Sequence, residues 1–435
     1  VTVFEKNKEP GGMVVYGIPS FVMEKNIVQA EIDVLRAMGV EIKCGVEVGK
    51  DITIAQLREQ GYKAFYVAVG CQGGRKTGVA GEDAKGVMTG VELLHITTDD
   101  ESYKLTGDTV VIGGGNVAID VSRTAIRCGS PKVSQVSLET RDIMPALPEE
   151  IETAESEGIN IIGGWGPKEI LTEDGKVTGI VFKKCTSVKD ADGRFNPQYD
   201  ENETMTIECS NVIMSVGQAI EWGSLLEGTK VEFWHGNYPV ADKVTYQTAE
   251  PDIFVGGDVY TGPKFAIDAI AQGKIAAESL HRYVHHGHME TGRNRWEFKP
   301  LDTDDILVES YDRGPKQVEG INSKVTDNFK DNVLALTEEQ IKKETSRCLG
   351  CGATIVDANK CIGCGICTTK CDFDAIKLHR DHPECSTMTV AEDKFKAIIP
   401  YQLKRVKNII LKKKVEPAEV EEKEEQNKQE TTSTN

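Results

Sequence analysis

Residues 109–129 read TVVIGGGNVAIDVSRTAIRCG, and the fold is decided there. Thr109, Val110, Val111 and Ile112 make a short, mostly β-branched run of the kind that forms a buried strand. Three glycines follow at once, and after Asn116 the apolar residues fall at helical spacing. Gly113, Gly115 and Ala118 satisfy G-x-G-x-x-A between that strand and that helix. Glycines allow a tight turn and a close approach of backbone to ligand, and the free N–H groups of the new helix favour a pyrophosphate. Gly113, Gly114, Gly115, Asn116, Val117 and Ala118 are therefore the candidate cradle of a nicotinamide dinucleotide. The next apolar strand leads to Glu139. A carboxylate there accepts ribose hydroxyls of NAD and repels the additional phosphate of NADP, which favours NADH. Arg141, two residues on, could instead pair with that phosphate, so NADPH stays open.

Composition frames this site. At 435 residues the chain exceeds what one core organises, and two or three domains are expected. A net charge of -18 excludes the cationic surface on which nucleic-acid affinity rests. No apolar run approaches the roughly 18 residues of a membrane span, and no secretory pattern opens the chain at Val1. A cytoplasmic protein with small-molecule and protein partners is expected.

The 12 cysteines are unevenly placed. Cys44, Cys71, Cys128, Cys185 and Cys209 are scattered and read as small buried apolar residues. Cys361, Cys364, Cys367 and Cys371 form C-x2-C-x2-C-x3-C, the spacing with which bacterial ferredoxins wrap an iron-sulfur cubane; Asp372 stands where that run usually has proline. Cys348 and Cys351 add a pair upstream and Cys385 lies downstream. These make seven thiols, one short of two all-cysteine cubanes. One [4Fe-4S] cluster is expected, and a second cluster remains open. Zinc on the two C-x2-C pairs is the alternative, but it leaves Cys367 and Cys371 without purpose.

The chain opens VTVFEKNKEPGG, a strand ending in Glu5 with no phosphate loop before it. Taken with PGGMVVYGIPSF, AFYVAVGC, FVGGDVYTGPKFAIDAIAQG, GGGNVAID and RDIMPALPEE, it resembles the NAD(P)H-dependent small (beta) subunit of glutamate synthase and related FAD/iron-sulfur oxidoreductases. The likeness covers most of residues 1–284. It implies an α/β fold of two nested Rossmann-like domains, for FAD and NAD(P), as in pyridine nucleotide-disulfide reductases, followed by a ferredoxin-like 4Fe-4S domain. Carried over residue by residue, it sets Glu5 at the FAD adenosine ribose and Gly11, Gly12, Tyr16, Gly17, Ile18 and Pro19 along the isoalloxazine ring. Val69 and Gly70 close over the dinucleotide, Gly257 and Asp258 approach its ribityl and phosphate region, and Gly262, Pro263 and Ala266 bring a helix N-terminus to the ring. A helix N-terminus there suits reduced flavin, which carries negative charge at one edge. No cysteine pair lies in PGGMVVYGIPSFVMEKN, which sets disulfide reduction aside.

The expected boundaries are 1–100 for a first FAD part lacking its N-terminal strand and phosphate loop, 101–218 for the inserted NAD(P) domain and 219–285 for the second FAD part. A connector over 286–345, an iron-sulfur domain over 346–388 and a basic segment with an acidic tail over 389–435 complete the chain. The basic segment is expected to break at Pro400. Electrons would pass from NAD(P)H through FAD to the cluster and on to a partner subunit or ferredoxin within a hetero-oligomer, or run in reverse. The alternatives are the reductase subunit of glutamate synthase itself, and a non-catalytic relay or assembly subunit with a vestigial flavin site.

Overall fold

The structure is a computed structural model that describes residues 1–235, 237–293, 314–348, 356, 361–370, 376–379 and 391–411. In chain order its main elements begin with β1 (Thr2–Glu5), α1 (Met13–Tyr16), α2 (Lys25–Ala37), β2 (Glu41–Cys44) and β3 (Phe65–Val67). Next come β4 (Val87–Thr89), α3 (Gly90–Asp99), β5 (Thr109–Ile112), α4 (Asn116–Arg127), β6 (Val133–Ser137), α5 (Pro148–Ser156) and β7 (Asn160–Gly163). Three long strands follow, β8 (Trp165–Glu173), β9 (Lys176–Lys189) and β10 (Phe195–Glu208), then β11 (Asn211–Met214), β12 (Ile253–Val255), α6 (Asp258–Thr261) and α7 (Ala266–Val284). Toward the C-terminus lie α8 (Glu338–Ser346), α9 (Ile366–Lys370) and α10 (Lys394–Leu411). Compact packing divides the chain into residues 1–348 and 349–435.

The decisive stretch forms the middle of a five-stranded parallel sheet in the order β4, β11, β5, β6, β7. All four residues of β5 are buried, as expected of a strand covered on both faces. Successive side chains leave a strand on opposite faces, and the core divides accordingly. Val111 and Ile213 pack with Leu93, Ile119 and Val121 under α3 and α4. Val110, Ile112, Val212 and Met214 turn the other way, onto Ile170, Ile180 and Phe182 of β8 and β9. The second face is thus covered by the antiparallel sheet β10-β9-β8.

The sequence from Gly158 to Glu208 reads as a meander of short, turn-bounded strands, whereas β9 and β10 each run for 14 residues. Register shifts after Lys183 and Cys185 interrupt the alternation, and the solvent face carries Lys183, Glu201 and Glu203. The apolar period therefore fades in the sequence while the hydrogen-bonded ladder continues.

On the other side of the insertion the chain returns to where it left off. β3 pairs in parallel with β12, matching Phe65 to Ile253 and Val67 to Val255. β1 pairs in parallel with β2, matching Glu5 to Cys44. Val67, Ile253, Val255 and Val259 share a core with Ile54, Cys71, Ile220 and Leu226. Arg58 fastens the two ends of this half by a fork of two 2.7 Å bonds to Asp252 and one of 3.0 Å to Glu250.

The polar segment expected as a connector is anchored by two residues. Phe329 enters the core beneath α4, and buried Asn332 donates from Nδ2 to Glu157 Oε1 at 2.9 Å. Farther on, α10 runs through Pro400 rather than stopping there. Proline removes one helical hydrogen bond, and on a helix this exposed the freed carbonyl can turn to water.

Candidate functional site

Gly113 leaves β5 at φ 150°, and a Cβ there would lie 2.3 Å from the Ser215 carbonyl oxygen. Only glycine fits so close to the end of β11. Gly115 is the N-cap of α4 and makes no side-chain cap; a Cβ on it would meet nothing within 4 Å. The first turn of α4 therefore opens on free space, as an anion cradle requires. Ala118 is fully buried beneath the turn, where a larger residue would push the helix off the strand. Asn116 accepts the Leu147 N–H at Oδ1, 2.8 Å away, and ties the 143–147 loop to the helix start. Val117 packs at the edge of the same core.

Glu139 and Arg141 part company here. Glu139 comes to Gly114, whose Cβ would stand 2.8 Å from Glu139 Oε2. Arg141 turns to α5 and forks onto Glu155 with bonds of 2.8 and 2.7 Å. The carboxylate thus stands at the glycine turn and the guanidinium is held by another partner. Ser215 was not singled out by the sequence. Its buried Oγ has no hydrogen-bond partner among the described residues, and its carbonyl borders Gly113. The hydroxyl itself faces the start of α3, where a Cβ on Gly90 would stand 3.1 Å from it. No pattern around NVIMSVGQ would have revealed it.

The residues assigned to the flavin fall into two groups. In the first, Gly11 and Gly12 have φ of 131° and 53°, and Gly12 caps α1 with open space where a Cβ would stand. Gly17 is crowded, since a Cβ there would sit 2.9 Å from the Met13 carbonyl. Tyr16 is only 3% exposed; its hydroxyl accepts the Glu9 N–H at 3.1 Å and its ring stacks on His95 at 4.5 Å. Its ring is thus spent on packing. Pro19 accepts the N–H groups of Val22 and Met23 and turns the chain into α2. Glu5 accepts the Asn7 N–H at 2.8 Å, folding its carboxylate over the end of β1.

The second group lies at the ends of β3 and β12. Val69 is half-buried and Gly70 has φ 69°, again with open space at its Cβ position. Gly257, φ 69°, donates its N–H to buried Gln272 of α7 at 2.8 Å. Asp258 accepts the Lys264 N–H at 3.2 Å, and burial pushes its carboxyl up from the usual range. Gly262 has φ 77°, Pro263 and Ala266 are exposed, and the N-cap of α7 makes no side-chain bond. Gly256 and Gln272 were missed by sequence reasoning. A Cβ on Gly256 would lie 2.1 Å from the Tyr66 hydroxyl, and the paired glycines of VGGD are the signal that was available. No hydrogen bond joins the two groups among the described residues.

Two titratable residues, one on α2 and one on the dinucleotide helix, act on each other. Lys25 of α2 donates to the carbonyls of Val14 and Ile18, and burial draws its ammonium down to about 8, with Asp120 opposing. Burial raises Asp120 of α4 to about 7, with Glu150 adding to the rise and Arg123 and Lys25 opposing it. Near the carboxyl ends of β4 and β11 lies a cavity of about 480 Å³, whose lining includes Asn7, Gln72, Thr89, His95 and Met214. Ligands of open α/β sheets sit outside the carboxyl ends of the strands; the lining of this cavity includes none of residues 113–118.

Thiol chemistry finds little support beside the flavin residues. Burial raises Cys71 to about 11, with Asp258 adding to it, and its sulfur lies 3.6 Å from the Asp258 carbonyl. In the C-terminal run, Cys361, Cys364 and Cys367 are exposed, as is Cys348 in its own unit. Gly363 and Gly365 adopt φ of 68° and 77°, which turns the backbone as a thiolate-wrapped cluster needs. Among the described residues no three His, Cys, Asp or Glu side chains already converge on a metal position. Cys351, Cys371 and Cys385 lie outside the described residues.

Comparison with known proteins gives the family of the chain. The family model of pyridine nucleotide-disulphide oxidoreductases matches residues 45–273, and that of the 4Fe-4S binding domain matches residues 354–377. The chain is 35% identical to the NADP(+)-dependent formate dehydrogenase subunit beta of Moorella thermoacetica over 66% of its own length and 41% of that protein's. It is 30% identical to the glutamate synthase [NADPH] small chain of Halomonas elongata over 65% of its length and 62% of that protein's. It therefore spans about two fifths to three fifths of these relatives. The fold matches that of FprA from Mycobacterium tuberculosis, solved in complex with NADPH, at a TM-score of 0.54 and 20% identity over 66% of this chain and 78% of that one. The chain belongs to the pyridine nucleotide-disulphide oxidoreductase family, as a relative of the glutamate synthase small chain, and joins that module to a 4Fe-4S binding domain.

Proposed function

We propose that this chain exchanges electrons between a nicotinamide dinucleotide and a partner protein, by way of FAD and an iron-sulfur cluster. The observation that carries the reading is the union, in one chain, of a dinucleotide-handling module and a 4Fe-4S domain. The open first turn of α4 would hold the pyrophosphate through its N–H groups. The Ser215 backbone would close the turn from the β11 side, and the cavity by His95 would receive the part of the nucleotide that extends toward the flavin half. Gly12 and Gly70, with open space at their Cβ positions, would leave backbone accessible to the second dinucleotide. When bound, flavin takes a hydride's two electrons and releases them singly, which a cluster requires. Hydride transfer needs no general base, and none is assigned.

NADH is the favoured nucleotide, because Glu139 stands at the glycine turn while Glu155 engages Arg141. Cys361, Cys364 and Cys367, with Cys371, would hold one [4Fe-4S] cluster; Cys348, Cys351 and Cys385 are the candidates for a second. A partner subunit fits the relatives, whose names are those of a subunit beta and a small chain.

Anaerobic titration of the purified protein tests the reading. NADH should bleach both flavin bands and broad cluster absorption, with kcat/KM for NADH about tenfold above that for NADPH. A colourless zinc protein would end the proposal. Flavin that bleaches while the cluster does not would separate the two centres and refute transfer between them.

A further inference from the structure

Helix α10 has a composition unlike the rest of the chain. Between Lys394 and Leu411 it carries Lys394, Lys396, Lys404, Arg405 and Lys407 and no acidic residue, on a protein of net charge -18. Its large apolar residues recur at spacings of three and four. Phe395, Ile398, Ile399, Leu403, Val406, Ile409 and Ile410 share one face, and each is between 39% and 77% exposed. At 1.5 Å per residue this stripe runs for about 25 Å. The cations are distributed around it by the helical period of about 100° per residue. Lys396 and Lys407 border one edge, Lys394 and Arg405 the other, and Lys404 stands opposite. Pro400 lies off the stripe.

We propose that α10 lies flat on an anionic lipid surface, its apolar stripe among the acyl chains and its bordering cations at the headgroups. Two features favour lipid over other occupants. Three lysines and an arginine border the stripe with no acid among residues 394–411, a charge pattern complementary to anionic headgroups. A second copy of the helix would set one all-cationic border against another. Cations on both edges of a wide aliphatic face are the arrangement of an interfacial helix, since long stems let the charges rise to the headgroups. The attachment is peripheral, and no described helix is long and apolar enough to cross a membrane.

Flotation of the full-length protein, cofactors intact, with phosphatidylcholine vesicles tests this. Adding about a third phosphatidylglycerol should strengthen binding at least about tenfold, with loss at high salt. Ile399→Glu with Val406→Glu should abolish binding on either vesicle, and Arg405→Glu with Lys407→Glu should abolish the preference for anionic lipid. Each variant should keep the flavin and cluster spectrum of the parent, which confirms folding. Equal binding to neutral and anionic vesicles, binding indifferent to both pairs, or no binding with capture of an acidic protein through the same residues would each overturn the proposal.

Discussion

Glu157 is the most tightly committed charge in the molecule's first unit. It and Arg127 are fully buried side chains joined by bonds of 2.7 and 3.0 Å, and Arg123 adds a third bond at 2.9 Å. Asn332 completes the set from the segment that leads to Cys348. The Arg127 and Arg123 guanidinium groups lie 3.9 and 4.7 Å from the centre of the Phe21 ring, just beyond the proposed flavin loop. One cluster thus ties together the loop before α2, the dinucleotide helix and the anchored connector. Burial pushes the Glu157 carboxyl up, but hydrogen bonds from Arg127 and Arg123 outweigh it and hold the group near 2, against an ordinary 4.5. A depressed pKa contributes stability that is complete above the unfolded value and lost as pH falls toward the folded one. The parent should therefore weaken between about pH 4.5 and 2. Glu157→Gln should cost about 3–5 kcal/mol at neutral pH, because the buried Arg127 guanidinium loses its counter-charge and Arg123 keeps only Glu150 at 3.6 Å, and should flatten that acid limb. Chemical denaturation at several pH values measures both, and an unchanged acid limb would refute the assignment.

At the scale of elements, the start of α4 separates binding from folding. A Cβ on Gly115 meets no atom, whereas one on Gly113 collides with backbone. Gly115→Asp should leave thermal stability nearly unchanged. It should also weaken NAD(P)H binding at least tenfold, because a carboxylate would occupy the anion position at the helix N-terminus. Gly113→Ala should damage both. Isothermal titration beside a melting curve distinguishes the two, and full nucleotide affinity in Gly115→Asp would remove the cradle from the proposed site. The same elements show what was legible in the sequence. The strand, glycine turn and helix of residues 109–129 could be read directly, because period-two and period-3.6 patterns meet at three glycines. The return of the chain to complete the flavin half was implied only by the family resemblance, and the pairing of β3 with β12 was not legible, since no local pattern joins residues 65–67 to 253–255. The length of β9 and β10 was hidden by register shifts and by charges on their open face. Ser215, Lys25 and Asp120 were invisible for another reason: each becomes notable through burial beside a distant segment, which spacing along the chain does not record.

For the whole molecule, the division of labour between the two units gives the last prediction. The family match to the dinucleotide module ends at residue 273 and the 4Fe-4S match begins at residue 354. Nicotinamide-to-flavin transfer should then survive loss of the cluster, because its proposed groups, Gly113 to Ala118, Ser215 and the residues around His95, lie wholly in residues 1–348. Replacing Cys361 and Cys364 together by serine removes two thiolates from the turn that Gly363 and Gly365 shape. Iron content should fall by about four atoms per chain, with the broad visible absorption reduced to match. NADH should still bleach the flavin at about the parental rate, while electron delivery to a one-electron protein acceptor falls at least tenfold. Iron that persists in the variant would report a second centre, for which Cys348, Cys351 and Cys385 are the candidates. Parental iron content would remove Cys361 and Cys364 from the ligand set. Loss of flavin bleaching together with the iron would show that the two units do not work separably, and the order of electron flow proposed here would fail with it.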